Sequence, residues 1–254
     1  MLAMRILIAV LKALFISLCI APGTCLSADF TVNPVNIFLD AKQKTAVITI
    51  TNNGEHPLTL QATAVNWSQD DEGKDVYSST EDIIMFPRIF TVDKGQQRIV
   101  RIGMKVPPLA TERTYRIYME EVPDAQREDL SGAVLKTLMK VGIPVFMSPL
   151  KASPEGKIEK ANISKGTITF LLVNNGNLHY IMRGVKVEGF DKEGTPVFRK
   201  DFGGWYVLSG RSRTFSAEVS REICMKVTTL KIEVSTDIAS LKESLSVLPA
   251  MCSP

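Results

Sequence analysis

Residues 45–51, TAVITIT, run directly into Asn52-Asn53-Gly54, and this junction decides the fold. A β-branched run whose side chains alternate is a strand that packs on one face, and Asn-Gly supplies the positive φ angles of a tight turn. Outward from it, LTLQATAVNW (58–67) alternates, with Leu58, Leu60, Ala62 and Ala64 on one face. IFTV (89–92), QRIVRIGM (97–104) and residues 115–121 come next at hairpin spacings, and Pro107-Pro108 and Pro123 punctuate strand ends. No segment sustains a helical period, so the expectation is an all-β, antiparallel sandwich.

The pattern then repeats. PDAQREDLSG (123–132) is polar and without periodicity, and it leads into one long run, AVLKTLMKVGIPVFM (133–147). SPLKASPEG (148–156), with two prolines, reads as a linker between domains. New strands are expected from Thr167 (TITFLLVNN) and over residues 185–190, 196–198, 213–219 and 229–235. The phrase Val173-Asn174-Asn175-Gly176 echoes Thr51-Asn52-Asn53-Gly54, as though one sandwich were built twice, although short Asn-Asn-Gly turns also recur by chance.

The N-terminus differs from the rest of the chain. Arg5 and Lys12 flank ALFISLCI (13–20), an apolar run too short to span a bilayer, and Pro22-Gly23 breaks it before Ser27-Ala28. Residues 1–28 read as a secretory signal cleaved before Asp29, with one domain over 29–149 and a second over 150–254. Removing the signal leaves 28 basic against 27 acidic residues, a net charge of +1, which offers no basic stripe for nucleic acid. It also leaves two cysteines, Cys224 and Cys252. In an oxidising compartment they are either a disulfide holding the C-terminal tail or two free thiols.

Catalytic chemistry is hard to find. His56 and His179 both sit in turn-like phrases and share no ligand spacing with each other or with Cys224 and Cys252, so no metal site is expected. Glu120 and Glu121 are adjacent, hence on opposite faces of a strand, and cannot work as an acid–base pair. No nucleophile elbow, phosphate loop or dinucleotide fingerprint occurs, and neither cofactor nor small-molecule substrate is expected. The run 133–147 is more informative. Either it is a buried central strand, or it is an edge strand kept apolar in order to pair with another chain.

Several phrases succeed one another as in usher-pathway pilus chaperones. They are Asn66-Trp67-Ser68-Gln69, Tyr77-Ser78-Ser79-Thr80-Glu81-Asp82-Ile83-Ile84, Phe86-Pro87 and the stretch from Gly95 to Gly103 (GQQRIVRIG). Tyr115-Arg116-Ile117, Glu121-Val122-Pro123 and Ile143-Pro144-Val145-Phe146 continue the order, and DFGGWYVLS (201–209) resembles the archaic branch of that family. The resemblance spans most of the chain after residue 28 and is looser in the second half.

It implies two immunoglobulin-like domains, periplasmic location, and a non-enzymatic role that needs no cofactor or ATP. Pilus subunits would be capped by donor-strand complementation and passed to an outer-membrane usher, with self-association of the free form as one way to cover an exposed edge. The resemblance makes residues 133–146 the donor strand, with Leu135, Thr137, Met139 and Val141 entering the subunit's groove. A slip by one residue would present Val134, Lys136 and Leu138 instead. The family's common carboxylate anchor in the first strand aligns near Asn36, which is not basic. The anchor then falls to Arg116 and Lys140, with Lys140 alternatively an ordinary solvated lysine. A charge cluster between domains maps onto Arg101, Glu112 and Asp237. A different class stays open beside this one: a two-domain adhesion or structural subunit of the envelope, which would cover residues 133–147 within its own fold.

Overall fold

A computed structural model describes residues 30–123 and 137–252. The expected signal segment, residues 1–28, and Leu135 lie outside the described residues. Strands dominate, arranged in four sheets around two separate apolar cores.

The first core is closed by two sheets. One orders β1 (Phe30–Asn33), β3 (Thr45–Asn52), β8 (Gln97–Met104) and β6 (Ile83–Phe86) as β1-β3-β8-β6. The other runs β2 (Ile37–Leu39), β10 (Lys140–Met147), β9 (Arg113–Glu121), β4 (Leu58–Gln69) and β5 (Asp75–Ser79), with β7 (Ile89–Val92) paired to β4. The first strand thus serves both sheets, and Pro34, which has no N–H to give a ladder, stands at the switch. Ile48, Ile50, Leu60, Val100, Ile117, Met119 and Val145 fill the space between. Each fully buried aliphatic or methionine side chain contributes about 1.5–3 kcal/mol.

The second core repeats the plan. Its sheets are β11 (Gly156–Ser164), β12 (Thr167–Asn174) and β15 (Ser212–Glu218), facing β14 (Pro196–Val207), β13 (Tyr180–Phe190), β16 (Thr229–Thr236) and β17 (Ser240–Ser246). A one-turn helix, α1 (Arg221–Cys224), is linked by a Cys224–Cys252 disulfide to the last turn, Pro249–Cys252. Both cysteines are buried, and the bond closes the tail over the core.

The two Asn-Asn-Gly phrases turn out to be one device used twice. Asn52, at the end of β3, donates from Nδ2 to the carbonyls of His56 and Val92 and accepts from Gly54 N–H at Oδ1. Asn174, at the end of β12, donates to the carbonyls of Leu178 and Val207 and accepts from Gly176 N–H. Both asparagines are buried. Each satisfies backbone groups at the closed end of its sandwich, which would otherwise be orphaned away from water.

The two sandwiches meet through side chains from both. Gln69 donates to the Tyr206 carbonyl (3.0 Å) and accepts from the Leu208 N–H (3.0 Å). Asn177 donates to the carbonyls of Ala110 and Lys151 and accepts from the Ser153 N–H. Between them, Trp67, Phe146 and Leu208 form a small apolar cluster joined by Tyr206.

Candidate functional site

The candidate site grows from the way β10 ends a sheet. On one side β10 pairs with β9 over its whole length, from Lys140 opposite Glu120 to Met147 opposite Arg113. On the other side β2 runs parallel to it but covers only Val145, Phe146 and Met147. Among the described residues nothing pairs with 140–144 on that side, so there they have an open edge. Backbone groups alternate in direction along a strand. The Met139 carbonyl accepts from the Glu121 N–H, so odd residues point to β9, and the Ser148 N–H donates to Leu39 on β2. Lys140 and Gly142 thus present both N–H and C=O at the open side, and Pro144 presents a carbonyl alone. Its missing N–H leaves no gap in the β9 ladder, which is where an edge proline is tolerated.

Side chains sort by the same alternation. Met139 and Val141 point inward, half-buried against the first core, while Leu138 is exposed. Thr137 is exposed and precedes the strand. Lys140, Gly142, Pro144 and Phe146 take the opposite face, which meets the second sandwich at Phe146. Cross-strand partners place that face in rows: Lys140 with Glu120 and Gln61, Gly142 with Tyr118 and Thr63, Pro144 with Arg116 and Val65. The next row holds Phe38, Phe146, Thr114, Trp67 and Tyr77, and in it Phe146 and Trp67 pack on His179 and Tyr206 of the second sandwich.

Arg116 sits just above that contact. Its guanidinium lies 4.2 Å from the centre of the Trp67 ring, 5.5 Å from Tyr77 and 5.8 Å from Trp205. The Nε is buried without a hydrogen-bond partner, and among the described residues no carboxylate lies within ion-pair distance of the group. Aromatic faces attract a cation without occupying its N–H donors, at about 0.5–2 kcal/mol per contact. The result is a positive charge, partly desolvated, with donors left for an anion. Burial pushes the Tyr77 hydroxyl above its ordinary range, while the Arg116 charge pulls the other way. Burial likewise raises Tyr206, again opposed by Arg116. Gly142 makes room for the arrangement, since a Cβ there would meet Arg116 Cδ and Tyr118 Cε1 at 3.0 Å.

Lys140 is placed differently. Its ammonium pairs with Glu120 at 3.0 Å, with both side chains half exposed, and lies 4.6 Å from the Tyr118 ring centre. Four residues along a strand separate its row from that of Arg116, about 13 Å. The two cations share one face but do not converge. Asn36 immediately precedes Ile37, the partner of Val145, so it stands where the open edge begins.

The expected charge cluster does not form. Arg101 is exposed on β8 and has no ion pair with Glu112 or Asp237. Asp237 instead accepts the Ile181 N–H. Glu112 takes His179, accepting from its backbone N–H (2.9 Å) and contacting Nδ1 at 2.8 Å, with both side chains buried. The physical reason is desolvation: a carboxylate enclosed between two cores needs a partner enclosed with it, and Arg101 faces water on the far sheet. Local sequence carried no sign of this pair, because the two residues meet only where the sandwiches do.

Among the described residues no group of three or more His, Cys, Asp or Glu side chains gathers as metal ligands. None of the described helices is long and apolar enough to cross a membrane.

Residues 29–153 match the family described as pili and flagellar-assembly chaperone, PapD N-terminal domain. No curated protein sequence matches the chain. Similar solved structures include a chaperone–tip adhesion subunit pre-assembly complex, CsuC–CsuE, from archaic Csu pili of Acinetobacter baumannii. It is 19% identical, with a TM-score of 0.54, covering 74% of this chain and 90% of that one. The Salmonella enterica SafA pilin–SafB chaperone complex is 16% identical, with a TM-score of 0.56, covering 88% of this chain and 99% of that one. The YadV chaperone is 12% identical, with a TM-score of 0.57, covering 86% and 100%. At such identities these likenesses establish the fold.

Proposed function

Because residues 29–153 belong to the PapD N-terminal domain family of pili and flagellar-assembly chaperones, we propose that the chain is a periplasmic chaperone that holds pilus subunits on the open edge of β10. The subunit adds a strand to residues 140–144 by main-chain pairing, and Leu135, Thr137, Met139 and Val141 fill its groove. Arg116 receives the carboxylate that ends the subunit's strand, and Lys140 flanks the same face further along. The complex then passes to an outer-membrane usher.

One observation carries this reading: the open edge stops at Pro144, and Pro144 is paired with Arg116. β2 blocks extension beyond that point. A guest strand whose last residue lies there has its carboxylate beside the guanidinium only if it runs parallel to β10. An antiparallel guest would bring its N-terminus to the cation instead. The charge-assisted bonds that a carboxylate makes with Arg116 are worth about 1.5–3 kcal/mol.

The test is co-expression with neighbouring secreted subunits. Replacing Met139 and Val141 by Asp, together with Leu135→Asp, should abolish co-purification of a subunit, with circular dichroism checking that the fold survives the loss of two side chains packed on the first core. Undiminished co-purification would show that the groove-filling strand lies elsewhere, as it would in a structural or adhesive subunit of the envelope.

A further inference from the structure

We infer that Asp75 is a positioning residue that ties the second sandwich to the walls of the Arg116 site, making the carboxylate anchor a product of both sandwiches. This rests on the proposed anchor role of Arg116.

Three side-chain donors converge on the Asp75 carboxylate from three strands. Gln69 Nε2, from β4, lies 3.2 Å from Oδ1, and the Tyr77 hydroxyl, from β5, lies 3.1 Å from Oδ2. The Trp205 indole N–H, from β14 of the other sandwich, reaches both oxygens at 3.3 Å. Among the described residues no Lys, Arg or His comes within ion-pair distance of Asp75, so its partners are neutral donors and its task is geometric.

The donors are not arbitrary. Tyr77 and Trp205 are two of the three rings around the Arg116 guanidinium, and Gln69 is the buried amide that clamps Tyr206 and Leu208. Trp67, the third ring, is buried and needs no tether, whereas Tyr77 and Trp205 are more than a third exposed. Exposed rings choose among rotamers unless something holds them. Asp75 is the group that holds both at once. Gly73, two residues before it, closes the same contact, since a Cβ there would meet the Ser212 carbonyl at 3.0 Å and Arg213 Cβ at 3.1 Å. The β4–β5 turn therefore packs directly on the second sandwich, and any rotation between sandwiches pulls on the Trp205–Asp75 bond.

The consequence is specific to charge recognition. Loss of the tether lets Trp205 and Tyr77 swing away, rehydrates the guanidinium and weakens its hold on an anion, while the open edge of β10 keeps its main-chain pairing. The probe is a short synthetic strand of alternating valine and threonine, made once with a free C-terminal carboxylate and once as the amide. Its binding is followed by fluorescence of the chain's 2 tryptophans, which are Trp67 and Trp205. The wild-type protein should prefer the carboxylate by about tenfold. Asp75→Asn turns donors toward donors, and Trp205→Phe keeps a ring but drops the N–H. Each should bring the preference close to one by weakening the carboxylate form more than the amide, and Asp75→Glu should restore part of it. A purely structural Asp75 would lower binding of both peptides together. If the wild-type protein prefers the carboxylate and Trp205→Phe keeps that preference in full, the inference is overturned and the anchor stands. No preference in the wild-type protein would instead remove the anchor itself. Should Asp75→Asn fail to fold, Trp205→Phe alone decides.

Discussion

The His179 imidazole and the Phe146 ring lie face to face, centroids 3.7 Å and planes 15° apart, although they come from different sandwiches. Glu112 holds the imidazole from the other side of the contact, and Phe38 and Trp67 extend the aromatic row to the guanidinium of Arg116. The joint between sandwiches and the candidate binding site are thus one continuous packing.

Phe146 is fully buried in that joint. Phe146→Ala should cost about 3–5 kcal/mol. Urea unfolding followed by tryptophan fluorescence measures it, and a cost below about 1 kcal/mol would mean that the joint is not a rigid contact.

Arg116 and Lys140 should separate in mutagenesis. Arg116→Ala is expected to lower subunit recovery strongly, whereas Lys140→Ala removes an exposed pair with Glu120 that is worth about 0.2–1 kcal/mol. Pull-down yields from co-expressing cells compare the two, and equal losses would place Lys140 in the anchor on the same footing.

Asn36→Lys supplies a cation beside Pro144, at the end of the open edge. Carboxylate-terminated strands should then bind several-fold tighter, and amidated ones should not. Titration calorimetry with both forms reads the difference, and an equal gain for both would mean that the charge acts nonspecifically.

Burial, reinforced by the bond to Asp82, pushes the Tyr115 hydroxyl up to about 12 from its ordinary 10.0. The folded state therefore keeps a proton that the unfolded chain has released. Stability from this group is whole below pH 10 and drains away as the pH rises toward 12. Urea midpoints across that window should fall more steeply for the wild-type protein than for Tyr115→Phe. Parallel curves would contradict the shift.

Cys224 and Cys252 close a loop with a sequence separation of 28. Chain-entropy arguments give such a bond about 3–4 kcal/mol. Dithiothreitol should lower the unfolding midpoint of the second sandwich accordingly and leave the first unchanged. An unchanged second transition would show the tail to be held by packing alone.

Strands with one dry face were legible in the sequence. β7 and β8 fall where alternation placed them, and the residue-45 run extends only to Asn52. The strands that went unseen are short or largely wet: β1 and β6 have four residues and β2 three, β5 is almost wholly exposed, β11 buries only Ile163, and β17 (SLKESLS) alternates weakly. Their partners are distant, so nothing local marks them. Arg116 was reachable through family resemblance alone, and its aromatic surroundings were not. Trp67 and Tyr77 come together by the β4–β5 register, and Trp205 arrives from beyond the linker. The Glu112–His179 pair had no local signature either, and the charge cluster expected in its place ignored which sheet faces water.

The short cover that β2 lays over the end of β10 has a further meaning on the proposed reading. It works as a gauge: a guest is measured by where its chain stops, against a fixed barrier, before any of its side chains are consulted. Main-chain pairing is indifferent to sequence, and a terminal carboxylate is common to every polypeptide. A chaperone built this way can serve several different subunits, provided that each ends at the same distance from its groove, and it rejects a subunit that carries even a short extension past that mark.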